Sequence, residues 1–296
     1  MLSPFPLGRP ARMAVMASGR GTNLEALLEA FPPKNPWGEV VLVLSDNPEA
    51  YALRRASRRG VEAVAIPWRG RKAFEGEALG LLEARGVDLV LLAGFMRLLS
   101  PAFVEPWYGR LLNIHPSLLP AYPGLRVHAR VLEAGERETG STVHFVDQGM
   151  DTGPIVLQGR VPVLPGDTPE TLERRVLFLE HRLYPRAVRL VLSGLAFPPG
   201  EGLKALLGEA WPRFQEFAPG EKPLYLRAVA LLSAWGLGHL VPAALLGQGG
   251  DWVRGAFLAA HLLAEDHPAL RQELSELSRE VRLRAEDALR RVESPL

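Results

Sequence analysis

The chain has 296 residues, of which 47% are hydrophobic and 23% are charged, and its formal net charge is +1 at pH 7. This length and composition suit a soluble globular protein with one large domain and a smaller addition, and the near-zero charge gives no indication of nucleic acid or membrane binding. The 0 cysteines exclude disulfides, thiolate catalysis and cysteine-based zinc sites, while the lack of a signal peptide and of any uncharged apolar run of about 20 residues predicts a cytoplasmic protein.

The first part of the chain alternates apolar strands with helices. The predicted strands are residues 12–17, 39–44, 61–66, 87–93 and 111–114. The predicted helices between them are residues 22–31, 48–59 and 71–85. Because these strands lack polar alternation, they predict an α/β fold with a Rossmann-like, mostly parallel sheet and helices on both faces. Ligands of such sheets bind beyond the carboxyl ends of the strands.

The pattern changes after residue 140. Residues 141–146 and 155–163 predict two neighbouring antiparallel strands, and residues 169–193 predict a long amphipathic helix. A proline- and glycine-rich stretch at 198–202 indicates a domain boundary. We therefore predict a large α/β domain at 12–200, a linker at 201–222 and an all-helical C-terminal extension at 223–296. The helices predicted in that extension are residues 224–246, 252–264 and 269–292.

A glycine-rich loop at 18–24 follows the first strand and opens a helix. Glycines let backbone N–H groups approach an anion there, the helix N-terminus favours negative charge, and Thr22 or Asn23 can add donors. Asp46 after the second strand is compatible with a dinucleotide loop, but Leu24 stands where the third glycine of that fingerprint belongs. A single phosphate monoester therefore fits better than a pyrophosphate, and a tight turn without a ligand fits the loop equally well.

Asn113 and His115 end the strand at 111–114 and lie two positions apart, so both side chains project from one face. Such a pair can donate two hydrogen bonds to one oxyanion, and a carboxylate such as Asp151 can hold the imidazole charged and move protons. Together they suffice for passing an acyl group to an amine. Either residue alone also fits a simple cap of the turn before Pro116. His144 lies on an alternating strand, which favours a structural role.

Several segments, in this order, resemble the glycinamide ribonucleotide formyltransferases of purine synthesis. They are residues 18–24, 93–101, 111–124, 143–146 and 151–154. The similarity covers about residues 12–196. It implies the formyltransferase fold, small-molecule substrates and no metal. The implied reaction transfers a formyl group from the co-substrate 10-formyltetrahydrofolate to the amine of glycinamide ribonucleotide.

The resemblance also implies binding residues. Those implied for the substrate phosphate are Gly21, Thr22 and Asn23, and Glu180 would bind elsewhere on the ribonucleotide. Those implied for the folate, whose pterin the 146–151 loop would cover, are Arg71, Met96, Arg97, Leu98, Leu99, Val146, Asp147, Gln148 and Met150. Apolar residues at a strand end, such as those of the 95–99 segment, also suit an ordinary core. Leu177 departs from the family, whose members often carry a polar residue there.

By the same resemblance Asn113, His115 and Asp151 are the catalytic residues. The imidazolium of His115 and the amide of Asn113 would stabilise the tetrahedral oxyanion. We expect Asp151 to raise the pKa of His115 above the usual value of about 6.5, because an opposite charge nearby favours the imidazolium. Asp151, through a water, would also move the proton from the amine to the leaving nitrogen.

Other functions use the same residues. A methionyl-tRNA formyltransferase would carry a basic C-terminal β-barrel, whereas this tail reads as helical and mixed in charge. A formyltetrahydrofolate deformylase would have an additional N-terminal domain, and about ten residues precede the first strand. A non-catalytic folate- or nucleotide-binding module would not need the three residues together. We expect neither nucleic acid nor membrane as a partner, and the C-terminal helices would pack on the enzyme or form a homo-oligomer.

Overall fold

The computed structural model describes residues 2–234, 236–250 and 260. The chain divides into two compact units. One unit is Pro4–Ser193, and the other contains the described residues from Gly194 onward together with Leu2 and Ser3. None of the described helices is both long enough and apolar enough to cross a membrane.

The unit Pro4–Ser193 is built on a seven-stranded sheet with the order β3-β2-β1-β4-β5-β6-β7. The strands are β1 Ala11–Met16, β2 Gly38–Ser45, β3 Glu62–Ala65, β4 Leu89–Leu92, β5 Leu111–His115, β6 Glu138–Phe145 and β7 Ile155–Pro162. β1 to β5 pair in parallel, whereas β6 and β7 are antiparallel to their neighbours. This topology confirms the predicted Rossmann-like, mostly parallel sheet.

The four helices predicted for this unit are present, with ends that differ from the predicted ones by a few residues, together with two short helices. They are α1 Thr22–Ala30, α2 Tyr51–Arg58, α3 Arg71–Ala84, α4 Pro101–Val104, α5 Val127–Glu133 and α6 Pro169–Leu192. α2 begins three residues later than predicted, because Ala50 N–H donates to the carbonyl of Asn47 and forms a turn first. α4 and α5 were not predicted, since both are too short to show a periodic apolar stripe.

The sheet is buried on both faces, as its continuous apolar strands require. Every residue of β4 is buried, and Phe74, Ala78 and Leu82 of α3 pack on one face of the sheet. α6 packs on β6, β7 and α1. Each fully buried Leu or Phe side chain contributes about 1.5–3 kcal/mol through the apolar surface that it removes from water.

α6 is held firmly over the ends of the central strands. Thr168 caps its N-terminus in a capping box with Thr171, and Pro169 occupies the first turn, where its missing N–H costs nothing. In the helix interior, the buried Tyr184 hydroxyl donates to the carbonyl of Leu92 at 2.9 Å. Because Leu92 ends β4, this bond ties α6 to the carboxyl end of the sheet, where ligands of this architecture bind.

In the second unit every regular element among the described residues is helical, as predicted for the C-terminal extension. The helices are α7 Glu201–Leu207, α8 Trp211–Gln215, α9 Lys222–Ala234 and α10 Val241–Leu245. α7 and α8 lie within residues 201–222, which the sequence predicts to be a linker. They are ordered because Leu203, Leu207 and Phe214 are buried in one apolar cluster with residues of α9.

The predicted helix at 224–246 is divided into α9 and α10. Gly236 adopts φ +74°, a left-handed conformation that ends a helix, and Pro242 is accommodated in the first turn of α10. The predicted helices at 252–264 and 269–292 lie outside the described residues, apart from the single helical and buried residue Ala260.

Candidate active site

A cavity of about 950 Å³ opens at the carboxyl ends of the parallel strands. The predicted site residues that line it are Gly21, Thr22, Asn23, Met96, Arg97, Leu98, Leu99, Asn113, His115, Val146, Asp147, Gln148, Met150, Asp151 and Glu180. Arg71, the first residue of α3, is not among the lining residues. The departing residue Leu177 lines the cavity as well.

Asp151 joins the two polar side chains of β5. Its Oδ2 lies 3.3 Å from His115 Nδ1, and its Oδ1 lies 3.5 Å from Asn113 Nδ2. The carboxylate also accepts the N–H of Gly124 at 2.9 Å. Asp151 itself adopts φ +56°, a left-handed conformation that aspartate tolerates better than most residues. Asp151, which lies 36 residues after His115 in the sequence, therefore meets Asn113 and His115 at one point, and the catalytic roles of the three residues stay predictions.

His115 is the centre of this arrangement, and only 8% of its side chain is exposed. Nε2 lies 2.9 Å from the carbonyl oxygen of Tyr122, which can only accept, so this nitrogen carries a proton. Burial lowers the pKa of His115 below 6.5, and the Tyr122 carbonyl and the Asp151 charge do not outweigh it. The expected rise of this pKa is therefore wrong, because the cost of removing the imidazolium from water exceeds the attraction of one carboxylate.

Asp151 itself remains ionised. Burial raises the pKa of its carboxyl group, but the nearby His144 and His115 rings and the hydrogen bond from the Gly124 N–H lower it below 3.8 overall. The site therefore holds a carboxylate at neutral pH, next to a histidine whose pKa is lowered by burial.

His144 belongs to this cluster, although its sequence pattern favoured a structural role. Its Nδ1 lies 2.9 Å from the carbonyl of Phe145, so Nδ1 donates and Nε2 is directed to the site. Nε2 lies 3.2 Å from Asn113 Nδ2 and 3.7 Å from Asp151 Oδ1. The signal that could have revealed this contact is the antiparallel register of β5 and β6, which pairs Asn113 with His144.

The glycine loop forms another part of the cavity wall. Gly21 caps α1 with φ +70°, which only glycine adopts readily, and the first N–H groups of α1 follow it. Asn23 Nδ2 donates to Glu180 Oε2 at 2.7 Å, and Ser141 Oγ lies 2.9 Å from Glu180 Oε1. Glu180 is buried, and burial raises its pKa above 4.5 against the opposing bonds from Asn23 and Ser141. Two residues that the sequence assigned to different parts of a substrate are thus direct partners.

A further part of the wall is apolar but exposed. Met96, Leu98 and Met150 are large apolar side chains that line the cavity, and 66% of the Met96 surface is accessible. Apolar side chains grouped at an open cavity indicate a surface for a flat or apolar ligand rather than core. Phe95 and Leu99 are partly buried and pack against the core, so only Met96 and Leu98 of the apolar residues in the 95–99 segment depart from ordinary core.

Arg97 is held from two sides at this wall. Its Nε donates to Asp46 Oδ2 at 2.6 Å, and its guanidinium lies over the Trp68 ring at 4.7 Å. Asp46 is 5% exposed. Asp46, the residue that would bind the ribose if the glycine loop held a dinucleotide, is therefore hydrogen-bonded to Arg97 instead.

The 147–152 turn is shaped by its own hydrogen bonds. Asp147 Oδ1 accepts the N–H of Gly149 at 3.0 Å and the hydroxyl of Thr152 at 2.6 Å. Gln148 Nε2 donates to Glu105 at 2.6 Å. These bonds present Met150 to the cavity and lead the chain into Asp151. Within the described ranges, no group of three or more His, Asp or Glu side chains is placed to hold a metal ion.

Comparison with known proteins shows where this chain has relatives. Residues 11–188 match the family described as formyl transferase. Over 185 residues the chain is 42% identical to the phosphoribosylglycinamide formyltransferase of Escherichia coli (strain K12), covering 62% of this chain and 87% of that protein. It is 47% identical over 193 residues to the trifunctional purine biosynthetic protein adenosine-3 of Drosophila melanogaster, covering 64% of this chain but only 14% of that protein.

The fold has solved relatives too. Glycinamide ribonucleotide transformylase 1 from Symbiobacterium toebii aligns with a TM-score of 0.62 and 47% identity, over 65% of this chain and 92% of that chain. The phosphoribosylglycinamide formyltransferase of Coxiella burnetii aligns with a TM-score of 0.61 and 40% identity, over 64% of this chain and 91% of that chain.

Proposed function

This chain belongs to the formyl transferase family, and from that premise we propose that it transfers the formyl group of 10-formyltetrahydrofolate to the amine of glycinamide ribonucleotide in purine biosynthesis. The observation that carries the proposal is the convergence of Asn113, His115 and Asp151 in one cavity with the glycine loop before α1 and an exposed apolar wall. Relatives named for this reaction are matched over most of their own length, which supports the same conclusion.

The cavity walls suit the two substrates. The N–H groups that follow Gly21, with the side chains of Thr22 and Asn23, would hold the phosphate of the ribonucleotide at the N-terminus of α1. Glu180 would bind the remainder of that substrate. The apolar side chains at 96–99 and 146–150 would hold the pterin, since a flat heterocycle gains most from such a surface.

The chemistry needs stabilisation of negative charge and a route for one proton. When the amine nitrogen bonds to the formyl carbon, charge develops on the formyl oxygen. Asn113 and His115 would donate to that oxygen, and the developing charge would favour the imidazolium that burial disfavours in the free protein. Ionised Asp151 would accept the amine proton, through a water, and return it to the folate nitrogen as the bond from that nitrogen to the formyl carbon breaks.

The test is the absorbance change when the protein is mixed with 10-formyltetrahydrofolate, with and without glycinamide ribonucleotide. We expect turnover that requires the ribonucleotide and is lost in His115→Ala. His239→Ala is the matched control, because His239 is exposed and lies in the other unit. Consumption of the folate without the ribonucleotide would instead indicate a deformylase. Absence of turnover in both mixtures would leave a tRNA substrate or a binding module and would refute the proposal.

A further inference from the structure

Resting on this proposed function, we infer that Arg20 is a further substrate-binding residue, and that Glu173 holds its guanidinium until the phosphate of the ribonucleotide takes the place of the carboxylate. The two side chains form an ion pair across the cavity. Arg20 Nη2 donates to Glu173 Oε1 at 2.6 Å. Arg20 belongs to the glycine loop and Glu173 to the second turn of α6, and both line the cavity that contains the proposed phosphate position.

The pair is exposed enough to exchange partners. The Arg20 side chain is 73% exposed and that of Glu173 is 41% exposed. Exposed ion pairs contribute little net free energy, because water solvates both charges when they separate. Within the described part of the chain the Arg20 side chain makes only this one hydrogen bond, so most donors of its guanidinium are available for a ligand.

The backbone of Arg20 is fixed while its side chain is free to move. Arg55 Nε donates to the Arg20 carbonyl at 2.9 Å, and the Ala52 N–H donates to the Gly19 carbonyl at 3.1 Å. These bonds anchor the loop on α2. A change of partner by Arg20 therefore requires only side-chain rotation and leaves the N–H groups of the loop in place.

The phosphate and the Glu173 carboxylate differ in how well they bind the guanidinium of Arg20. A phosphate monoester carries up to two negative charges and three oxygens, which arginine binds in a two-pronged contact that a single carboxylate contact does not match. Once Arg20 turns to the phosphate, the charge of Glu173 repels the same ligand. Arg20 and Glu173 must then have opposite effects on affinity, which a purely structural ion pair would not produce.

The experiment measures steady-state kinetics of the full chain at saturating 10-formyltetrahydrofolate, together with binding of inorganic phosphate by calorimetry. We expect Arg20→Ala to raise both the KM for glycinamide ribonucleotide and the Kd for phosphate about tenfold, with kcat changed much less, since one charged contact to a ground-state group is lost. We expect Glu173→Gln to lower both constants. Arg213→Ala is the matched control, because Arg213 forms a similarly exposed pair with Glu216 at 2.8 Å in the other unit.

The results distinguish the inference about Arg20 and Glu173 from the proposed function. Wild-type turnover with an unchanged KM in Arg20→Ala overturns the inference and leaves the proposed function intact. A rise of KM in Glu173→Gln as large as that in Arg20→Ala overturns the exchange, since it would show that the pair acts only as a unit. Phosphate binding that depends on Arg20, in a protein without turnover on the ribonucleotide, overturns the proposed function alone.

Discussion

His115 is governed by two opposed effects, burial and charge. Its ring lies between the carboxylate of Asp151 and the carbonyl of Tyr122, both of which favour the imidazolium, yet burial lowers the pKa below 6.5. The imidazole is therefore mostly neutral in the free protein at neutral pH. In the proposed reaction, the negative charge that develops beside this ring would favour the imidazolium, so His115 would stabilise the transition state more than the ground state.

Asn113 provides the sharpest test at this scale. Its amide lies 3.5 Å from Asp151 and 3.2 Å from His144, so its orientation is set by the protein rather than by a ligand. Replacing it by alanine removes one donor to the oxyanion, and such losses typically lower kcat about 100- to 1000-fold. We expect this decrease in Asn113→Ala with an unchanged unfolding midpoint, measured by thermal denaturation. Nearly full turnover in the variant would remove Asn113 from the mechanism.

At the scale of elements, the site depends on the change from parallel to antiparallel pairing. β5 carries Asn113 and His115, and its antiparallel neighbour β6 brings His144 directly opposite Asn113. The connection from β6 to β7 then returns over the cavity and delivers Asp151 in a left-handed conformation. A parallel neighbour would need a long crossover here, so the short turn that carries Asp151 is a consequence of the strand direction.

The loop before α1 can be tested by comparing its two glycines. In Gly21→Ala, the new Cβ would lie 2.8 Å from both Cα and Cβ of Ala52, and the residue would keep φ +70°. The left-handed conformation alone costs about 1–2 kcal/mol for a residue with a Cβ, and the contact with α2 adds to it. We expect a clear drop in the free energy of unfolding measured with urea, together with weaker phosphate binding.

Gly19→Ala is the control for this comparison. A Cβ on Gly19 meets nothing within 4 Å, and the residue has no positive φ. We expect a change within about 0.5 kcal/mol, as for other surface substitutions. Equal destabilisation by the two alanines would mean that the loop does not depend on the conformation of Gly21.

At the scale of the whole molecule, the proposed chemistry belongs to one unit. All seven strands and all residues that line the cavity lie in Pro4–Ser193. The second unit has an apolar cluster of its own, formed by Leu203, Leu207 and Phe214 with residues of α9. Its predicted role in homo-oligomerisation stays a prediction, as does the cytoplasmic location.

Truncation tests this separation. We expect a chain that ends at Ser193 to fold and to keep formyl transfer, because its sheet, helices and cavity are complete without the later residues. Turnover and light scattering, compared with the full chain, would show whether the loss affects chemistry or assembly. An inactive but folded truncated protein would mean that the second unit contributes to the site. An unfolded one would mean that it contributes to stability.

The sequence by itself determined the order of strands and helices, because apolar patterning is local. It also identified site residues of which all but Arg71 line the cavity, because the motifs follow one another in a recognisable order. Only the tertiary structure decided that His144 meets Asn113, that Asp46 holds Arg97, and that the predicted linker contains α7 and α8. It also reversed the expected pKa shift of His115. These features depend on which groups become neighbours in the folded chain and on how far each group is buried from water. Neither can be deduced from a single segment of the sequence.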